Sequence, residues 1–73
     1  MDELTRIQRR LLRLREKRGW SQYTTARALG VTQTLVHRAE HAAGVGPMGL
    51  RVLKAELDRL DEADTLRRVV RRG

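Results

Sequence analysis

The chain has no cysteine and no phenylalanine, and only one tryptophan, one tyrosine and one proline. Without cysteine there is neither a disulfide framework nor a thiolate zinc site, and two histidines alone do not make a metal centre. No metal or other cofactor is therefore expected. With so few aromatics the core has to be aliphatic. Uninterrupted apolar runs reach only two or three residues, so nothing is expected to span a membrane. The first residues lack the apolar region of a secretory signal, which makes a cytoplasmic protein, nucleoid-associated when bound to DNA, the expectation. At 73 residues a single domain of residues 1–73 is implied, burying about 60% of its unfolded surface, with no room for a deep catalytic pocket. An enzyme and a small-molecule ligand are not expected.

What the chain has in quantity is arginine. Of its sixteen basic residues only Lys17 and Lys54 are lysine, and nine acidic residues leave a formal charge of +7. Arginine-rich basic domains suit polyanionic partners, although a GC-rich genome also codes arginine freely. Residues 1–20 carry seven basic and three acidic groups, so the excess leans toward the front.

Leu4, Ile7, Leu11 and Leu14 recur at spacings of three and four, one apolar stripe of a helix over about residues 3–18, stopped at Gly19. Ser21 can cap a second helix, in which Ala26 and Leu29 face inward with Thr25 beside them, and Gly30 ends it. Thr32 can cap a third helix that begins at Gln33. The segment "AAGVGPMG" is a loop leading to Pro47 near the start of a fourth helix, whose stripe is Leu50, Leu53, Leu57 and Leu60. At "DEAD", residues 61–64, the stripe shifts phase to Ala63, Leu66 and Val70. Either a fifth helix starts near Asp61 or the fourth continues in a new register. The fold class implied is all-α, a compact bundle of four to five short helices.

Two short helices joined by a tight glycine turn are the geometry of a helix-turn-helix, here residues 21–41. The crossing needs a small residue, which Ala26 is, and the turn needs a residue tolerant of positive φ, which Gly30 supplies. Leu29, Val31 and Val36 can then pack the inside of the corner.

On these residues "LRLREKRGWSQYTTARALGVTQTLVHRAE" resembles the helix-turn-helix of the phage Cro and CI repressors and their XRE-type bacterial relatives, closely through residues 13–40 and loosely afterward. The resemblance implies a lambda-repressor-like helix-turn-helix domain that binds palindromic operators as a dimer. It would have Gln22 hold a DNA phosphate, and would turn Gln33, Thr34, His37 and Arg38 toward the major groove. It also implies an ion pair of Arg15 with Glu40 that fixes the third helix against the first. Three departures stand out: Thr25 and Ala39 replace larger apolar residues, and the loop "HAAGVGP" has no basic residue for a phosphate. Arg10 and Arg13 on the first helix, or Arg51, are the alternative phosphate contacts, against the alternative that the first-helix arginines form a solvated face. Trp20, between helices one and two, is expected in the core.

The chemistry of the third helix fits base reading. A Gln33 amide suits adenine, Thr34 reaches phosphate or a base edge, and Arg38 suits either guanine O6 and N7 or a phosphate. His37 can donate to guanine or stay plainly exposed. Leu35 has two candidate jobs, touching a thymine methyl or filling the space beside Ala39, and the thymine contact is the preferred one. Leu66, Val69 and Val70 exceed what so small a domain covers, so residues 61–71 are a candidate dimerisation helix.

The reading that follows is a non-enzymatic, sequence-specific binder of double-stranded DNA. A Cro-like repressor that occupies a palindromic operator as a homodimer is the simplest form, suited to a phage or mobile element. The rivals are a DNA-binding antitoxin, a protein-interaction adaptor on the same fold, and a DNA-bending accessory factor for recombination.

Overall fold

The computed structural model describes the backbone of residues 2–72 and the side chains through residue 68, so Val69 and Val70 of the expected dimer contact lie outside the described side chains. Four helices follow in order: α1 (Glu3–Arg18), α2 (Gln22–Leu29), α3 (Gln33–Glu40) and α4 (Pro47–Arg72). Among the described residues there is no strand, and the fold is all-α as the periodicity predicts.

The first three helix starts have a local cause. The Asp2 carboxylate accepts from Thr5 N, the Ser21 hydroxyl from Thr24 N and the Thr32 hydroxyl from Leu35 N, and each satisfies a backbone donor with no partner inside its helix. Helices α1 and α2 end on Gly19 and Gly30 at φ 66° and 71°, the left-handed region where a side chain is strained. Helix α3 ends differently. Ala42 takes φ 52° without being a glycine, and Ala43 N closes the turn by donating to Arg38 O at 3.0 Å.

Helix α1 packs on α3 and α4, and α2 packs on α3 and more lightly on α4. Ile7, Leu11, Leu29, Ala39, Leu53 and Leu57 are buried together, with Ala26 and Val36 buried at the α2–α3 corner. Burying an Ile or Leu side chain contributes about 1.5–3 kcal/mol, so this small aliphatic set is the main stabilising element. Thr25, standing where the resembling family has a larger apolar residue, is fully buried, and its hydroxyl donates to Ser21 O at 2.8 Å. Trp20 is half-buried rather than a core centre, with the Arg18 guanidinium 5.4 Å from its ring.

No fifth helix forms among the described residues. Helix α4 runs on for 26 residues, about 39 Å at 1.5 Å per residue, and nearly accounts for the 43 Å long axis of the molecule. The face carrying Leu53, Leu57 and Leu60 meets Asp64 one turn further on, in the same register, and Arg18 donates to both its oxygens at 2.5 and 2.6 Å. Asp61 likewise bonds Arg10. The "DEAD" segment is therefore an ion-paired continuation of the same helix.

Candidate nucleic-acid interface

Helix α3 has a divided surface. Val36, Ala39 and Glu40 are buried against the rest of the domain, and Gln33, Thr34, His37 and Arg38 are exposed. A period of 3.6 residues places those four on adjoining parts of the outward side, so the four candidate base readers share one surface.

Glu40 holds this helix in place. Its side chain is 5% exposed, and Oε1 accepts from Arg15 NH1 at 2.6 Å and from Gln22 Nε2 at 2.9 Å. Gln8 Nε2 donates to the Glu40 carbonyl at 2.7 Å, which satisfies an acceptor at the α3 C-terminus. Arg15 Nε also donates to Trp20 O, tying α1 to the start of the α2 segment. One carboxylate thus collects donors from α1 and α2 and orients α3 against both. The expected Arg15–Glu40 pair forms. Gln8 is a participant that the sequence reading missed, although its position seven residues before Arg15 puts both on one side of α1.

The orientation of the Gln22 amide follows from the same contact, because a carboxylate only accepts and the group facing Glu40 must be the NH2. That NH2 also lies 3.4 Å from His37 Nδ1, which therefore acts as acceptor and leaves the ring proton on Nε2. His41 Nδ1 donates to the His37 carbonyl at 2.8 Å, since a carbonyl only accepts. The two rings lie 4.2 Å apart, centroid to centroid. His37 consequently offers an N–H donor at Nε2, the polarity that suits guanine O6 or N7.

Several expected site residues sit elsewhere. Gln22, expected on a phosphate, donates its amide NH2 to Glu40. Arg10, expected on the DNA backbone, is bound to Asp58 at 2.9 Å and Asp61 at 2.8 Å on α4, and its guanidinium is a structural clamp. Arg13 lies on the side of α1 opposite the residues that face α3, because Gln8 and Arg15 reach Glu40 from the other side of the helix. It does not share a surface with Gln33 and Arg38. Arg51 lines a shallow depression with Glu3, Lys54 and Asp58, on the outer side of α4.

Leu35 lies at the border between the core and the outward side of α3. It is half-buried, packs against the core cluster, and its Cδ1 would lie 3.1 Å from a Cβ built on Gly49. This leucine packs in the space beside Gly49, the placement that the packing role requires. Arg38 keeps its exposure, but its stem rests beside Gly44, 3.5 Å from a Cβ built there. The guanidinium is thus carried toward the loop after α3.

The charges behind this surface are arranged by α1. Hydrogen bonds from Arg10 and Arg18 hold the Asp58 and Asp64 carboxyls below their ordinary value of 3.8, against a smaller opposing effect of burial. No cluster of three or more potential metal ligands occurs among the described residues, and no described helix is long and apolar enough to cross a membrane. Comparison of the chain with protein-family models, with curated proteins and with solved structures gives no match in any of the three.

Proposed function

We propose that the protein is a non-enzymatic, sequence-specific binder of double-stranded DNA, with α2 and α3 as its helix-turn-helix and α3 in the major groove. The observation that carries this reading is the division of α3: Val36, Ala39 and Glu40 anchor it, and Gln33, Thr34, His37 and Arg38 form a polar outward surface of hydrogen-bonding groups. An eight-residue helix held against both α1 and α2 behind such a surface is suited to reading base edges, where placement decides which donor meets which acceptor. Among these residues Gln33 takes adenine, His37 and Arg38 take guanine or phosphate, and Thr34 takes phosphate or a base edge. The resemblance to Cro and CI repressors gives this binder its simplest role, a repressor on a palindromic operator.

A homodimer through α4 is part of the proposal. Leu66 is 60% exposed, and Met48, Val52 and Ala55 are also exposed along the outer side of the same helix. Pairing of two copies there would set the α3 helices on successive turns of a palindrome, about 34 Å apart. Footprinting on the DNA around the protein's own gene tests the whole reading. The expected result is protection of two half-sites related by a dyad, with affinity falling steeply with salt. Equal affinity for all sequences overturns it.

A further inference from the structure

Seven basic residues lie on α1, and the fold treats them in two ways. Arg15 binds Glu40, Arg10 binds Asp58 and Asp61, Arg18 binds Asp64, and Lys17 approaches Asp64 at 3.8 Å. Arg6, Arg9 and Arg13 have no ion pair among the described residues and are exposed to solvent. They recur at spacings of three and four, so they form one row down the back of the helix. Leu12, 45% exposed, flanks the row, and together with Arg10 these residues line a shallow open depression. The acid nearest to the row in helical position is Glu16, exposed one turn beyond Leu12.

This row faces away from α3. Gln8 and Arg15 bring one side of α1 to Glu40, Arg10 and Arg18 bring a second side to α4, and Arg6, Arg9 and Arg13 occupy what is left. The outward surface of α3 is turned from α1 in the same way, since Val36, Ala39 and Glu40 face inward. A straight duplex lying on α3 therefore cannot also touch the row.

We propose that Arg6, Arg9 and Arg13 form a second phosphodiester-binding surface, which engages a second DNA duplex while α3 holds the first, so that one molecule bridges two segments. The inference rests on the DNA-binding reading above. A nucleic-acid backbone is favoured over an acidic peptide because the depression is shallow, with a single leucine for an apolar anchor, and the three charges repeat in one straight row as phosphates do along a strand. The geometry agrees. Arg6 and Arg13 are seven positions apart, about 10 Å along the helix, which matches the axial rise of three successive steps between phosphates on one strand at about 3.4 Å each, so the row spans four phosphates.

The test is a bridging assay with the full chain. A short duplex containing the footprinted site is immobilised and saturated with protein, and capture of a labelled random-sequence duplex is measured against salt. Wild-type protein should capture the second duplex. The triple variant Arg6→Gln, Arg9→Gln, Arg13→Gln should bind the first duplex within twofold of wild type and capture the second at least tenfold less, because three phosphate contacts carry a salt slope of about 2.7 log units per log unit. Three outcomes overturn the proposal: wild-type protein that saturates the first duplex and captures no second, a variant that bridges as wild type does, and tighter capture of polyglutamate than of duplex at equal charge. Failure of wild-type protein to prefer the site over random DNA is a separate outcome, which removes the base-reading proposal and leaves the row to be judged on capture alone.

Discussion

The two sides of α1 hold their partners by different physics. Toward α3, Arg15 meets Glu40, whose side chain is 5% exposed; toward α4, Arg10 and Arg18 meet carboxylates whose side chains are between 21% and 72% exposed. All these ion pairs have distances below 3 Å, so distance does not distinguish them. Burial does. A carboxylate removed from water depends on its donors, because leaving it uncompensated is costly, whereas a carboxylate at the surface recovers hydration when its partner goes. The α3 side carries the proposed base-reading surface, and it also carries the less dispensable contact.

The comparison can be broken most sharply at its buried end. Arg15→Ala leaves Glu40 with Gln22 alone on its Oε1, and should cost about 3–5 kcal/mol of stability in a denaturant titration. A loss no larger than that of a surface pair would mean that the seam is hydrated and that α3 is positioned by apolar packing alone.

Next in size is the outward surface of α3. Gln33→Ala and Arg38→Ala should each weaken binding to the protected site by about 1–3 kcal/mol, with unchanged melting temperature, if they touch bases. Equal loss on random DNA would assign the residue to a phosphate. Because Arg38 leans toward the loop on Gly44, it is the one expected to divide its effect between the two.

Leu35→Ala should cost about 1–2 kcal/mol of stability, less than the full loss of a buried leucine because the residue is half-buried. Loss of affinity confined to one base pair, with no change in melting temperature, would return Leu35 to the groove.

The smallest effect lies at the exposed end and depends on pH. Asp58 and Asp64 have folded pKa values below 3.8, chiefly through hydrogen bonds from Arg10 and Arg18. A group with a depressed folded pKa contributes its stability above the unfolded value and loses it as the pH falls through the folded one. The melting temperature should therefore decline below about pH 4, and Arg18→Gln should flatten that decline. An unchanged acid limb in the variant would show that Arg18 contributes nothing to it.

Much of the backbone was legible from residues alone. Leu4, Ile7, Leu11 and Leu14 mark α1, Ser21 and Thr32 cap α2 and α3, and Gly19 and Gly30 stop the first two helices, because each of these features acts within one turn of chain. The Arg15–Glu40 pair was legible only through the family resemblance, since 25 residues separate its members. The α4 seam was misread for the related reason that Asp64 looks like a break in a leucine stripe until Arg18, 46 residues earlier, is seen beside it. Leu35 and Arg10 share that difficulty: a side chain's type states what it is able to bind, not which partner lies nearest.

By itself, the sequence determined where helices start and stop and which residues of each helix form its apolar side, because capping, glycine conformations and helical periodicity are local. Only the tertiary structure decided which arginines are clamps and which are free, that Leu35 fills the space beside Gly49, and that the bare row on α1 faces away from α3. Those outcomes depend on distances between residues far apart in the chain, and such distances exist only once the helices have packed.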